Sequence, residues 1–488
     1  MTSPPPTPPE SLGSDNDDDV VVVGRFHDMG FGTEWVESYR PGGFHPVHFG
    51  DVFKDSRYKI IRKLGYGSFS TVWLARDQTE TTINRYVAVK ILTAKDSFGE
   101  NERVLYDRLS RNNTDHPGRD YVVRLLDSFT HTGPNGNHLC LVFEPMGPTA
   151  TSLLYYHPSS YGGPRMLHDD FSDDEDPPTS NQSKIQQYND AVSDPAERNR
   201  FPLWMARRIL HQLLLAIDYL HQNGITHSDT HPGNILMPIK DLSSIPEAQL
   251  SQAKNLKTHQ SVNRKDGKID LWAPRYIAVN RPLEPYLDLN PSFEIKVSDL
   301  GGAFDFDTPP EEYTTPAGLR SPENICCGEV GPAQDIWSLG CLIFELITGE
   351  KLFTIAPFGG GLDEDDDDDH YIQLMEILGP LPSFIREEWS RASTYCGPGG
   401  EIVKHFIGEP VENMEIHVTP PLETYFDRLR PAAMNDEEAD LVKDLLRSIL
   451  VYNAEARPQT SKILQHPWFV NIGKSHNVKN MNQFQGEL

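Results

Sequence analysis

Gly224-Ile-Thr-His-Ser-Asp-Thr-His-Pro-Gly-Asn-Ile-Leu236 is the stretch on which the reading of this chain turns. It follows an apolar helix pattern over residues 204–221, in which Ile209, Leu213, Leu214, Ile217 and Leu220 share one face. His227, Asp229 and Asn234 therefore lie on a short loop between a helix and a strand. On such a loop an acid can meet a hydroxyl while an amide meets a metal ion, the layout that phosphoryl transfer needs. The plainer alternative is a helix-to-strand turn whose polar side chains are satisfied locally, and the flanking sequence decides between the two.

Upstream, the alternation of Ile60, Ile61, Leu64, Val72, Trp73 and Leu74 predicts a hairpin from Tyr58 with the turn Gly65-Tyr-Gly-Ser-Phe-Ser70. Its two glycines let the backbone close over phosphates, N–H groups inward and no Cβ in the way. Gly-x-Gly alone is weak, because hairpin turns use glycine routinely. It gains force from Val87-Ala-Val-Lys90, a strand that carries Lys90 beneath the turn as a cation for the α- and β-phosphates. Glu102, in a helical pattern over residues 102–109, can pair with Lys90; otherwise both are ordinary surface charges. Two more strands follow, over residues 122–129 and 139–143, joined by Gly133-Pro-Asn-Gly136. The backbone near Glu144 and Met146 is then placed for an adenine edge, with Phe143 behind it. The expected nucleotide-binding residues are Leu64, Gly65, Tyr66, Gly67, Ser68, Phe69, Ser70, Thr71, Val72, Lys90, Glu102, Glu144 and Met146.

Downstream, Ile295-Lys-Val-Ser-Asp-Leu-Gly-Gly302 delivers Asp299 from a short strand to a glycine bend, where a carboxylate can hold Mg²⁺ together with Asn234. Taken singly, Asp-Leu-Gly is a common turn. After a valine-bearing strand and an Asp-x-x-x-x-Asn loop, the metal reading is the stronger.

Composition bounds the rest. With 488 residues, 38% hydrophobic and 10% aromatic, the chain can bury one large two-lobed core or two to three ordinary domains. A net charge of -27 argues against nucleic-acid or anionic-membrane surfaces and favours basic partners. Five cysteines, odd in number and without a CxxC pair, suggest neither a disulfide framework nor zinc. Arg207 and Arg208 interrupt the best apolar run, and the Pro-rich acidic N-terminus lacks a signal peptide's basic region. A monomer of the cytoplasm and nucleus is the expectation. Residues 1–35 and 471–488 are expected as tails, the first disordered; polar inserts are expected at about 155–200, also disordered, and 240–291.

Three further motifs, Ser321-Pro-Glu323, Asp335-Ile-Trp-Ser-Leu-Gly340 and Arg457 ahead of His466-Pro-Trp-Phe469, complete an ordered set that resembles a eukaryotic serine/threonine protein kinase over residues 58–469. The resemblance implies an α+β, two-lobed fold: a small, mainly antiparallel β N-lobe at about 58–146 and a larger, mainly helical C-lobe at 147–470. Within that family the chain looks most like the SR-protein kinases, which phosphorylate serines in Arg/Ser-rich splicing factors. The residues that carry this are Tyr39-Arg-Pro-Gly-Gly-Phe-His-Pro-Val47, Gly65-Tyr-Gly-Ser-Phe-Ser-Thr-Val-Trp73, Leu125-Leu-Asp-Ser-Phe129 and Gly133-Pro-Asn-Gly-Asn-His-Leu-Cys140. Implied with it are ATP and Mg²⁺, catalysis by Asp229, Lys90, His231 and Asn234, a Glu323–Arg457 pair, and Asp335 bracing the catalytic loop.

Three positions depart from the kinase pattern. Ser70 replaces the third loop glycine, as in the SR-protein kinases. Ser228 replaces the Arg before the catalytic Asp, so activity should not require phosphorylation of Thr314 or Thr315. His231 replaces the Lys two residues after it. That His makes the loop look like small-molecule phosphotransferases related to aminoglycoside kinases, but the peptide platform from Ser321 to Gly340 favours a protein substrate. A weakly active fold serving as a binding module is the remaining alternative, opposed by the presence of Lys90, Asp229, Asn234 and Asp299. With an ordinary pKa near ~6.5, His231 is mostly neutral at pH 7 but still offers an N–H donor, nearby phosphates should favour its charged form, and activity is expected to fall above neutrality. The run Asp363-Glu-Asp-Asp-Asp-Asp-Asp369 is either a docking patch for Arg-rich peptides or a solvated loop.

Overall fold

β-Branched Val87, Val89 and Ile91 recur at every second position of the strand Arg85-Tyr-Val-Ala-Val-Lys-Ile-Leu92, which lies inside a six-stranded antiparallel sheet of order β1-β2-β3-β4-β6-β5. The strands are β1 Val52–Phe53, β2 Tyr58–Tyr66, β3 Ser70–Asp77, β4 Arg85–Leu92, β5 Leu125–Gly133 and β6 Gly136–Phe143. The computed structural model describes residues 24–27, 33–79, 85–98, 100–112, 115–155, 200–252, 259–310, 314–355, 364–408 and 418–477. The expected disorder over 155–200 thus falls almost wholly outside the described residues.

Strand alternation sorts the sheet's two faces. Ala88, Leu141 and Phe143 pack against Leu105, Tyr106 and Leu109 of helix α1, Asn101–Arg111. Val87, Val89, Cys140 and Val142 turn the other way, onto Val47 and Phe49 of the segment that crosses the sheet ahead of β1. A bulge in β2 between Ile60 and Arg62 buries both Ile60 and Ile61, on different faces, and so breaks the simple alternation.

Two expected boundaries need correction. The tail was placed at residues 1–35, yet Phe26 and Glu34 are buried. Lys63 of β2 is 0% exposed and ion-paired with Glu34, to which the Tyr39 hydroxyl also donates at 2.5 Å. A buried ammonium needs a counter-charge, and among the described residues Glu34 of this N-terminal segment supplies it. The insert at 240–291 is likewise more than polar loop. It holds a short helix, Glu247–Leu250, and the antiparallel pair β9 His259–Ser261 and β10 Tyr276–Ala278. Its Leu242, Leu250 and Leu283 bury against Ile61, Leu74 and Tyr86, while Glu247 pairs with Lys59 and Arg76. These apolar anchors are isolated in sequence, so no periodicity announces them.

The C-terminal part is helical around α2, Leu203–Gln222, which is buried on nearly all sides. Against it packs α4, Pro332–Thr348, opened by Pro332 and closed by Gly349 at φ +82°. Between them lie β7 Ile225–Thr226, β8 Ile235–Leu236, β11 Lys296–Val297, β12 Phe304–Asp305 and helix α3, Pro322–Cys327. Helices α5, Glu364–Leu378, and α6, Asp436–Ile449, extend the layer. No helix among the described residues is long and apolar enough to cross a membrane.

Candidate active site

The loop 227–234 is held at both ends by short antiparallel pairs: β7 meets β12 and β8 meets β11. Asp299 sits between β11 and β12, so the same two pairings bring it opposite Asp229 and Asn234. Buried Asp335 of α4 braces the loop from below: its carboxylate accepts from the amides of His227 and Ser228 and from His221 Nε2, each at 2.8 Å. Ser228 and Asp299 both take left-handed backbone conformations, φ +62° and +64°. Such strain in non-glycine residues costs on the order of 1–3 kcal/mol each and persists where surrounding contacts over-determine it.

Lys90 Nζ donates to both oxygens of Glu102, at 2.8 and 2.9 Å, and to Asp299 Oδ1 at 2.8 Å. Burial opposes the ammonium, but the two carboxylates hold it protonated above its usual range. Burial alone would raise Asp299; Lys90 and the Gly301 amide hold it instead at about 2. Asn234 donates its amide N–H to the Asp229 carbonyl and to Asp229 Oδ2, at 2.9 and 3.2 Å, which leaves the amide oxygen for another ligand. Asp229 Oδ1 is buried with no hydrogen-bond partner among the described residues. Burial, and then the negative charge of Asp299, push the Asp229 pKa up to about 7. An acid so tuned is a competent proton acceptor near neutrality.

His231 faces Asp229 across the loop. Its Nδ1 accepts from the Gly233 amide at 3.0 Å, so the ring proton is on Nε2, 3.7 Å from Asp229 Oδ1. Burial, reinforced by His227, lowers its pKa to about 4. Burial thus favours the neutral ring, a donor through Nε2–H.

These groups open on a cleft of about 1750 Å³ whose apolar lining includes Leu64, Val72, Ala88, Phe143, Met146 and Leu236. Of the expected nucleotide-binding residues, Gly65, Tyr66, Gly67, Ser68, Phe69, Ser70, Lys90, Glu102 and Glu144 line it too. Thr71 does not. Strand alternation turns it away between Ser70 and Val72, and its buried hydroxyl accepts from Trp73 Nε1 at 2.9 Å. Sequence reasoning missed residues 279–285 of the insert, which border the cleft mouth. No residue pattern there could have flagged it.

The comparisons with known proteins agree with this geometry. Residues 58–281 match the protein tyrosine and serine/threonine kinase model and residues 286–469 the protein kinase domain model. The serine/threonine-protein kinase SRPK of Physarum polycephalum is 30% identical over 90% of this chain and 92% of that protein. The chain belongs to the SRPK family of serine/threonine protein kinases. Protein kinase dsk1 of Schizosaccharomyces pombe is 26% identical over 89% of this kinase and 84% of its own length. Human SRSF protein kinase 3 is 24% identical over 88% and 89%. A solved kinase-domain crystal structure superposes with a TM-score of 0.53 at 20% identity, covering 87% of this kinase and 98% of that chain, a likeness of fold.

Beyond the cleft, the kinase's Arg457 makes a two-pronged ion pair with Glu323 at 2.6 and 2.7 Å and lies 4.9 Å over the Trp337 ring. Ser228, in the position of the missing Arg, donates to the Gly302 carbonyl at 2.7 Å, and the Thr315 hydroxyl donates to the Ser228 carbonyl at 2.7 Å. The acidic run is not a solvated loop. From Glu364 it forms the first turns of α5, where carboxylates favour the helix dipole, and Asp363 lies outside the described residues. Asp366 and Asp368 are buried, Asp367 pairs with Arg320 at 2.6 Å, and Arg391 binds Asp365 and Asp368 at 2.7 and 2.9 Å.

Proposed function

We propose that this kinase transfers the γ-phosphoryl group of ATP to serines in basic, Arg/Ser-rich proteins such as splicing factors. The observation that carries the transfer is the unpartnered Asp229 Oδ1, facing the cleft beside Lys90 and Asp299. Asp229 accepts the proton of the acceptor hydroxyl. Lys90, fixed by Glu102, orients the α- and β-phosphates. His231 Nε2–H offers a donor beside the reacting hydroxyl. Mg²⁺ fits the donor set, since Asn234 has its amide oxygen free and the Asp299 side chain keeps 45% of its surface exposed. No cluster of three His, Cys, Asp or Glu among the described residues could hold a metal alone, which suits an ion that takes its remaining ligands from phosphates and water. Held by Asn234 and Asp299, a bound Mg²⁺ would supply positive charge to offset that of the phosphates.

The substrate class rests on the relatives and on charge. Human SRSF protein kinase 3 is named for its substrates, and a chain of net charge -27 favours cationic partners. A soluble monomer of the cytoplasm and nucleus, without direct nucleic-acid or membrane binding, is in keeping with that charge. The test is phosphotransfer from ATP to an Arg-Ser repeat peptide, against an acidic serine peptide and an Asp229→Asn control. Equal rates on the two peptides would sink the substrate assignment, and wild-type rates in the control would sink the role of Asp229.

A further inference from the structure

Two adjacent cysteines close helix α3, the short helix that begins at the Ser321-Pro-Glu323 motif. Cys326 is half-buried and Cys327 exposed, whereas Cys140, Cys341 and Cys396 are buried, and all five are free thiols. The sulfurs of Cys326 and Cys327 are 2.8 Å apart. A disulfide bond is about 2.05 Å long, so less than an ångström of travel joins them. Neither residue lines the nucleotide cleft. Tyr371 of α5 lies within electrostatic reach of both.

We propose that Cys326 and Cys327 are a redox modification site, closed by hydrogen peroxide to a vicinal disulfide that deforms the end of α3. The exposed Cys327 thiolate attacks peroxide: an S–O bond forms, the O–O bond breaks, and the departing hydroxide takes a proton to become water. The Cys326 sulfur then attacks the Cys327 sulfenic acid; the S–S bond forms, the S–O bond breaks, and the hydroxyl leaves with the Cys326 proton as a second water. Two thiols lose two electrons and one peroxide gains them. Burial, and then the neighbouring thiol, hold the proton on Cys326, which assigns the first step to Cys327.

The neighbouring backbone makes the product consequential. Cα atoms across one peptide are about 3.8 Å apart, below the ~4.4–6.8 Å usual in disulfides, so the closed ring is strained and readily reduced. A helical last turn cannot accommodate it. The bonds from Gly328 N to the Asn324 carbonyl at 3.1 Å and from Glu329 N to the Glu323 carbonyl at 3.3 Å are the ones that give way. Glu323 is the residue that ties α3 to Arg457, so the strain reaches the protein-substrate platform and bypasses the cleft.

The experiment treats the full-length kinase with hydrogen peroxide and maps peptides by mass. The expected result is loss of two hydrogens from the peptide that carries both cysteines, restored by dithiothreitol. In Cys326→Ser, Cys327 should stop at the sulfenic acid and be trapped by dimedone. Oxygen gain in the wild type without hydrogen loss, or hydrogen loss in Cys326→Ser, overturns the pairing. Kinetics supply a second readout that rests on the kinase activity: oxidation should raise KM for protein substrate severalfold and leave KM for ATP unmoved. The same rise in Cys327→Ser would place the effect elsewhere and overturn the site as a control on the platform.

Discussion

Replacing His231 by Lys tests the catalytic loop most sharply, because the structure gives each form a different pH signature. In the wild type burial, with His227, lowers the His231 pKa to about 4, while burial and Asp299 raise that of Asp229 to about 7. A base works only when deprotonated, so kcat/KM should rise with pH through about 7 and show no descending limb from His231. Lys at the position adds a positive charge near Asp229 Oδ1, where the ring nitrogen now lies at 3.7 Å. Two unit charges about 4 Å apart attract by about 4 kcal/mol at an effective dielectric of 20. The site is partly open, with the His231 side chain 29% exposed. Screening leaves about 1–2 kcal/mol, or roughly one pKa unit. The acid limb of kcat/KM should therefore move about one pH unit lower in His231→Lys. His231→Ala, which removes the donor altogether, should lower kcat by about tenfold to a hundredfold, less than the loss of a fully charged stabiliser. The assay is kcat/KM against pH for the three proteins with one peptide substrate. A descending limb above neutrality in the wild type that His231→Lys flattens would show a charged His231 and refute the neutral-donor reading.

Three other outcomes are checkable. Arg457→Ala leaves Glu323 without its buried partner and should cost about 3–5 kcal/mol of stability by denaturant unfolding, where a loss under about 1 kcal/mol would deny the pair its structural role. Phosphatase-treated kinase should keep its full activity, because Ser228 is already tied to Gly302 and Thr315 by hydrogen bonds that need no phosphate; inactivation would contradict this. Glu34→Ala, by stranding buried Lys63, should cost about 3–5 kcal/mol; an unshifted midpoint would return that segment to the tail.

The chemistry of this kinase was legible in its sequence because catalysis fixes residue types at short spacings. Lys90, Asp229, Asn234 and Asp299 carry local signatures, and the fold converges them on one cleft. Long-range packing leaves no such signature. Glu34 reads as part of an acidic tail until Lys63 is seen buried beside it, and Leu242, Leu250 and Leu283 read as stray apolar residues in a polar insert. Thr71 failed for a different reason: a contiguous motif was read as a contiguous surface, although a strand shows only alternate residues to one side.

His231 shows where the two kinds of information meet. Its identity as a departure from the kinase pattern is plain from the loop alone, and so is its capacity to donate a proton-bearing nitrogen. Its charge is not, since that depends on how deeply the ring is buried and on His227 beside it. The same burial that strips His231 of charge also raises Asp229, and no cation stands at position 231 to offset it. The substitution and the tuned base are then one arrangement: losing the Lys leaves the acid less acidic, nearer the pH at which a general base works best. With an uncharged donor at position 231, transition-state charge stabilisation there would be smaller and Asp229 would be the stronger base. The pH profile of His231→Lys measures how that exchange balances.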